Sequence, residues 1–158
     1  MKTYTAAAVA KCFLSMAAKD PDHIQDISNM KLQKLVFFAQ LCSLGSFDGL
    51  PIHLNNTHAW DYGPVVPALY KLLKPFGRQF FTLSNPDMAA IFANEEDIDE
   101  PEALEVVKSV WDKFKTWTSV QLSALTHRRN SPWSVTYNSN RYGIITLDCM
   151  RKYQFGDE

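Results

Sequence analysis

Apolar residues near the start of the chain recur at the spacing of an α-helix. They predict a first helix from about Thr5 to Ala18, which the Asp20-Pro21 pair should end. The apolar face of this helix consists of Val9, Phe13, Met16 and Ala17.

A second helix is predicted from Asn29 to Leu44, with Ser28 as its N-cap and Gly45 at its end. Beyond Leu35 only two residues of this helix are polar, so its surface is apolar almost all round. A helix of that kind is usually central and buried.

The pattern breaks after this helix, and turn residues become frequent. The segments "LPIHL" and "THAW" flank Asn55-Asn56, which predicts a short hairpin. The next helix should begin at Gly63-Pro64 and stop before Pro75. The segment "RQFFTLS" is a candidate for another short strand.

The second half of the chain is again helical in pattern. Asp99 is the predicted cap of a helix to about Lys115, and Thr118 begins a capping-box helix that ends near Thr126. "HRRNSPW" is predicted as a loop, and Thr146 should cap a last helix to about Phe155. The sequence therefore predicts a mainly α (α+β) fold: one compact domain over residues 1–158, with five or six helices and a small β-hairpin or short antiparallel sheet.

Composition and charge narrow the classes of partner. Hydrophobic residues make up 46% of the chain, which is enough for a packed core. With 16 basic and 17 acidic residues, nothing favours nucleic acid as a partner. No apolar run is long enough to cross a membrane. The three cysteines are widely spaced, which indicates free thiols and a cytoplasmic protein.

Candidate catalytic and metal-binding residues are few. His53, His58 and Asp61 lie close in sequence, but their spacing matches no common zinc site. Cys42 could pair with His127, yet Cys42 falls in the most apolar helix, where a thiol is unreactive. The chain has no GxSxG, HExxH or P-loop motif. We therefore expect no metal, no cofactor and no catalysis, with a small hydrolase using His127 and Asp61 as one alternative.

Two further groups of residues stand out. Seven carboxylates lie between Glu95 and Glu105, which is typical of a solvated loop leading into a helix N-terminus. The chain is also rich in Trp and Tyr, which either fix loops internally or form an exposed protein-binding patch. These aromatic residues are Trp60, Tyr62, Trp111, Trp117, Trp133 and Tyr137.

Three stretches together resemble a known family. They are "MKLQKLVFFAQ" (30–40), "AWDYGPVVPALYKLLKPFG" (59–77) and "LSALTHRRNSPW" (122–133). Their order and spacing are similar to the Panacea antitoxin domain of the SocA-like antitoxins, over about Val9 to Tyr153. The residue before Ala59-Trp60 is often acidic in that family, whereas this chain has His58.

The resemblance implies a function. Members of the family resemble antitoxins of bacterial and phage toxin–antitoxin pairs, which neutralise toxins by direct binding. At least one branch is thought to deliver its toxin to a Clp-type protease. The expected partner is thus a cognate protein toxin, with a Clp-type protease as a second one. An alternative is a phage or mobile-element accessory protein that binds a host factor.

Under this interpretation, the proline- and aromatic-rich stretch forms a rigid platform that either binds the toxin or locks the fold. Prolines and a turn glycine limit the freedom of the chain, so the rings can be presented at little entropic cost. His127 is expected to be a buried, hydrogen-bonded hinge beside it. The platform residues are Trp60, Tyr62, Gly63, Pro64, Pro67, Tyr70, His127, Pro132 and Trp133.

Overall fold

A computed structural model describes residues 1–23, 27–46 and 48–157 of the chain. The α-helices are Ala6–Ala18 (α1), Asn29–Ser46 (α2), Pro67–Leu73 (α3), Pro86–Phe92 (α4), Pro101–Phe114 (α5), Ser119–Thr126 (α6), Pro132–Ser139 (α7) and Leu147–Tyr153 (α8), and a 3-10 helix spans Lys74–Phe76. The strands Thr57–Trp60 (β1), Gly63–Val65 (β2) and Ile144–Ile145 (β3) form one antiparallel sheet in the order β2-β1-β3. The mainly α fold with a short antiparallel sheet is confirmed, but the described part holds eight α-helices, not five or six.

The central position predicted for α2 is confirmed. This helix packs against α1, α5, α6 and α8, and nearly all of its residues before the last turn are buried. It runs one residue past Gly45, to Ser46. The buried residues of α2 include the polar side chains of Lys31, Gln33 and Lys34. Two of them, Gln33 and Lys34, help to form the surface described below.

The predicted hairpin has different strands. β1 pairs with β2, with Trp60 opposite Gly63, and not with "LPIHL". The latter segment is held by the buried Gln40 side chain, which accepts from Ile52 N–H at 2.9 Å and donates to the His53 carbonyl at 2.8 Å. An amide side chain thus satisfies the backbone groups that a strand would otherwise have paired.

The prediction that a helix begins at Gly63-Pro64 is wrong. These residues form β2, and α3 begins with Pro67 at its first position. Ala59 lies opposite Pro64, and both backbone groups of Ala59 bond to residues 142–143 on the other side. Ala59 therefore needs no hydrogen bond from Pro64, and the N–H that proline lacks leaves no partner on β1 unpaired. A proline is tolerated at such a position of an edge strand.

Three smaller predictions are also corrected. The "HRRNSPW" segment is not entirely a loop, because Ser131 accepts a hydrogen bond from Ser134 N–H and caps α7. "RQFFTLS" forms only an isolated bridge between Phe80 and Ser28. The cap of α5 is Glu100 rather than Asp99. Helix α7 was not predicted; it is short and has proline in its first turn.

The acidic segment between Glu95 and Glu105 forms more contacts with the rest of the chain than the predicted solvated loop would. Lys2 and Lys11 form ion pairs of 2.9 Å with Glu96 and Asp97, and the Tyr4 hydroxyl donates to Glu100 at 3.0 Å. These contacts hold the segment against the start of the chain, although exposed pairs of this kind add little stability. None of the helices in the described ranges is long and apolar enough to span a membrane.

Candidate functional site

An aromatic stack joins α6, α7 and the sheet. The His127 ring stacks on Trp133 at 3.8 Å between centroids, and Trp133 stacks on Tyr137 at 4.5 Å. The Trp133 Nε1–H donates to the Trp60 carbonyl at 2.7 Å. Because Trp133 is both buried and hydrogen-bonded, it fixes α7 to the end of β1.

Asp61, in the turn between β1 and β2, extends this arrangement. Its carboxylate accepts from the Tyr137 and Tyr142 hydroxyls at 2.6 and 2.7 Å, and from Arg141 Nη2 at 2.8 Å. The hydrogen bond from Tyr137, then those from Tyr142 and Arg141, lower the pKa of Asp61 to about 2. The carboxylate is therefore ionised at neutral pH and is hydrogen-bonded within the chain at both oxygens.

A groove of about 770 Å³ opens on the other side of the same turn. Its walls come from the first turns of α2, the β1–β2 turn, α3 with the 3-10 helix, and the start of α6. The lining residues are Ser28, Asn29, Met30, Gln33, Lys34, Trp60, Tyr62, Val65, Tyr70, Lys74, Gly77, Arg78, Phe80, Ser119 and Val120.

The groove concentrates exposed apolar side chains. Val120, Tyr62 and Phe80 are 73%, 71% and 64% exposed, and they are three of the four most exposed large apolar side chains among the described residues. Deeper in the groove, the Trp60 and Tyr70 rings meet edge to face at 5.0 Å. Exposed rings grouped in this way are typical of surfaces that bind another protein.

The backbone beneath the exposed Tyr62 ring is fixed. The Ser123 hydroxyl donates to the Tyr62 carbonyl at 2.7 Å. Gly63 follows with a φ of +117°, a conformation that favours glycine. A Cβ added to Gly63 would lie 2.8 Å from Lys34 Cε and 3.0 Å from Thr126 Oγ1, so the turn has no room for a side chain. The ring is thus presented from a rigid position.

Two polar side chains of α2 cover the free edge of β2. Lys34 Nζ donates to the Pro64 carbonyl at 3.3 Å, and Gln33 Oε1 accepts from Val66 N–H at 3.0 Å. Lys34 is only 1% exposed, and burial lowers the pKa of its ammonium group to about 8. The groove therefore contains a buried cation with a single long hydrogen bond to the described residues.

The structure distributes the platform residues over both sides of the β1–β2 turn. Trp60, Tyr62 and Tyr70 line the groove, whereas Trp133 and His127 form the aromatic stack. The residues that shape the backbone between them are Gly63, Pro64, Pro67 and Pro132. The expectation of a hydrogen-bonded His127 is wrong for its Nε2, which is buried and bonds to no described residue, so stacking holds the ring instead.

Sequence reasoning missed Lys34, Phe80 and Val120. A lysine immediately before the apolar run at 35–39 of α2 was a visible signal for Lys34. Phe80 and Val120 gave no such signal, because their exposure depends on how distant segments pack.

The arrangement gives little support to catalysis or metal binding. The described contacts connect His127 to Asp61 only through Trp133 and Tyr137, so the two side chains are not in direct contact. His53 lies in the core, where burial lowers its pKa to about 4. The described ranges hold no group of three His, Cys, Asp or Glu side chains placed to bind a metal.

Comparison with known proteins defines the family. Residues 32–134 match the family model described as "Antitoxin SocA-like, Panacea domain". The chain belongs to this family. Antitoxin SocA of Caulobacter vibrioides (strain NA1000 / CB15N) is 30% identical over 123 residues, which cover 71% of this chain and 61% of the relative. The chain thus spans less than two thirds of that relative's length, and no solved structure gives a significant match.

The matched Panacea domain runs from α2 to the start of α7. It includes the β1–β2 turn, Lys34 and most of the groove lining. The three side chains that bind the Asp61 carboxylate lie beyond it, at Tyr137, Arg141 and Tyr142. Most of the groove therefore falls within the SocA-like part of the chain, and the Asp61 contacts reach outside it.

Proposed function

We propose that this protein is an antitoxin that neutralises a co-encoded protein toxin by binding it directly through the groove. Membership of the SocA-like antitoxin family supports the antitoxin role. The observation that carries the choice of surface is the exposure of Tyr62, Phe80 and Val120 around one groove. Rings held on a rigid backbone lose little entropy on binding, which favours them as anchors.

The proposal involves no catalysis. Neutralisation by contact requires only that the complex covers a surface the toxin needs. Delivery of the bound toxin to a Clp-type protease is compatible with the same surface. The toxin would then be degraded as well as blocked. The two mechanisms differ in one measurable quantity, the lifetime of the toxin in cells that contain the antitoxin.

The direct test uses the reading frame adjacent to the antitoxin gene. Expressed alone, its product should stop growth, and co-expression with this chain should restore growth and give a complex that co-purifies. The double variant Tyr62→Ala/Phe80→Ala should weaken the complex by at least about tenfold, because both rings are exposed anchors. Leu54→Ala is the matched control, since Leu54 is 65% exposed and lies outside the groove.

Each outcome has a defined meaning. If no adjacent product is toxic, and the chain instead retains a host protein, the accessory-protein alternative replaces the antitoxin role. If the double variant binds the toxin as tightly as Leu54→Ala does, the groove is not the interface. A toxin that is short-lived only when both this chain and a Clp-type protease are present would establish the adaptor mechanism.

A further inference from the structure

The charge of the groove indicates what kind of toxin segment it receives, an inference that rests on the proposed function. Its described lining contains the cations Lys34, Lys74 and Arg78 and no aspartate or glutamate. Lys74 and Arg78 are exposed, and neither forms an ion pair with another described residue. An apolar groove with this charge is complementary to an anionic group on its ligand.

Of these three cations, Lys34 gives the strongest indication of an anionic ligand. Its side chain is 1% exposed, and of its three N–H donors one is used, in a 3.3 Å hydrogen bond to the Pro64 carbonyl. A buried ammonium group with so few partners is costly to the folded chain. A carboxylate that reached it would replace the lost hydration with a charge-assisted hydrogen bond.

The neighbouring lysine shows the contrast. Lys31 is also buried in α2, but its Nζ donates to the Lys115 carbonyl at 2.7 Å and lies 5.9 Å from the Trp111 ring centre. It does not line the groove. Lys31 is thus satisfied by the fold, whereas Lys34 is held beside a space that a ligand can enter.

The groove also limits how a peptide can bind. β2 is an edge strand, but Lys34 and Gln33 already occupy its outer edge by bonding to Pro64 and Val66. A toxin segment in the groove therefore finds no free edge of β2 on which to add itself as a further strand. Recognition must come from side chains that enter the groove.

We propose that the groove receives an aspartate or glutamate side chain of the toxin, with an aromatic or large aliphatic side chain next to it in sequence. The carboxylate accepts a hydrogen bond from Lys34 Nζ, and the apolar neighbour packs against Trp60 and Tyr70. Lys74 and Arg78 attract the segment before it binds.

The carboxylate chemistry can be tested without the toxin. The probe is 3-phenylpropionate, compared with 3-phenylpropanamide, which has the same shape and no charge. In NMR titrations of the full chain, the acid should shift the Lys34 Cε–Hε and Trp60 indole signals in a saturable way, and the amide should not. Equal shifts from both probes, no shift from either, or displacement of the acid by an equal concentration of inorganic phosphate would overturn the proposal.

Two variants test whether Lys34 is the residue that binds the probe. Lys34→Met keeps the length and apolar stem of the side chain, so the variant should fold, and it should lose the response to 3-phenylpropionate. Lys31→Met is the matched control: it removes a buried lysine from the same helix and should keep the response. If both variants respond like the wild-type chain, Lys34 is not the anion site.

The toxin gives the final test. Lys34→Met should reduce its affinity by at least about tenfold, because truncating one member of a buried charge pair leaves the other unpaired. Retained affinity would refute the assigned contact while leaving the antitoxin role intact. Binding of 3-phenylpropionate without any toxic partner would instead refute the antitoxin role alone. A flexible C-terminal extension of the toxin should leave affinity unchanged, and loss of affinity would show that a chain end binds rather than a side chain.

Discussion

The two sides of the β1–β2 turn use similar residues in opposite ways. On one side, Asp61 accepts hydrogen bonds from two tyrosines and an arginine, and Trp133 bonds to the Trp60 carbonyl. On the other side, Tyr62 projects into solvent and Lys34 makes one long hydrogen bond. For these polar groups the first side is complete within the chain, and the second has capacity left for a ligand.

This difference separates structural aromatics from binding aromatics. A polar group that is already bonded must break that bond before it can serve a partner, which costs much of what the new contact gains. An exposed ring on a rigid backbone has no hydrogen bond to break and little conformational entropy to lose when it binds a partner. Residue type alone cannot make this distinction, because Trp and Tyr occur on both sides of the turn.

Substitution of Gly63 should damage both sides together and give the largest effect. We expect Gly63→Val to lower the free energy of unfolding by about 4 kcal/mol, from backbone strain at positive φ plus overpacking. The added side chain would meet Lys34 and Thr126. Urea unfolding followed by circular dichroism measures this change.

Gly77→Ala is the control for this substitution. Gly77 also has a positive φ, of 59°, but a Cβ there would meet nothing within 4 Å. It should cost only the backbone term, about 1 to 2 kcal/mol. Equal losses at the two glycines would show that the contact with Lys34 contributes nothing to the rigidity of the turn.

The buried lysine on the groove side should produce a specific dependence of stability on pH. Burial lowers the pKa of Lys34 from 10.5 to about 8, so between these values the unfolded chain holds more protons than the folded chain. Stability contributed by this group should therefore rise from about pH 8 to about pH 10.5, by about 3 kcal/mol in all. Urea unfolding at several pH values measures the rise.

The comparison with Lys34→Met isolates this effect. Hydrogen bonding to Asp61 raises the pKa values of Tyr137 and Tyr142, which changes stability in the opposite direction near the same pH. Those contributions are common to both proteins and cancel in the difference. At neutral pH, Lys34→Met should be the more stable protein, as expected when a residue is kept for binding rather than for folding. A variant that is less stable at every pH would place Lys34 among the structural residues.

Much of the fold could be predicted because its signals are local. The Thr118 capping box and the Thr146 cap are confirmed, and each depends on a side chain bonding to backbone three residues away. The β1–β2 pairing could not be read in this way. A Gly-Pro pair fits a helix start as well as a strand, and only the pairing of Ala59 with Pro64 decides between them.

The groove was still harder to predict, for the same reason. Tyr62 and Phe80 are distant in sequence from Val120, and their grouping depends on how α2, α3 and α6 pack. The sequence predicted a rigid stretch there from its prolines and its turn glycine. It could not indicate which face of that stretch the remaining helices would cover.

Substitution of Asp61 tests the side of the turn whose polar groups are bonded within the chain, and it should give the smallest effect on stability. Asp61→Asn removes the charge that Arg141 and the two tyrosine hydroxyls bind, and these groups are exposed, so the loss should be modest. The folded pKa of about 2 lies below the ordinary value of 3.8. The stabilisation is thus fully present above about pH 4 and is lost as the pH falls through about 2.

The expected result is a wild-type advantage that is measurable at about pH 6 by urea unfolding and has largely disappeared near pH 2. Binding of 3-phenylpropionate in the groove should be unchanged in Asp61→Asn, because the carboxylate lies on the other side of the turn. If the variant instead lost that binding while remaining folded, the two sides would be coupled, and Asp61 would have to be counted with Lys34 as part of one site.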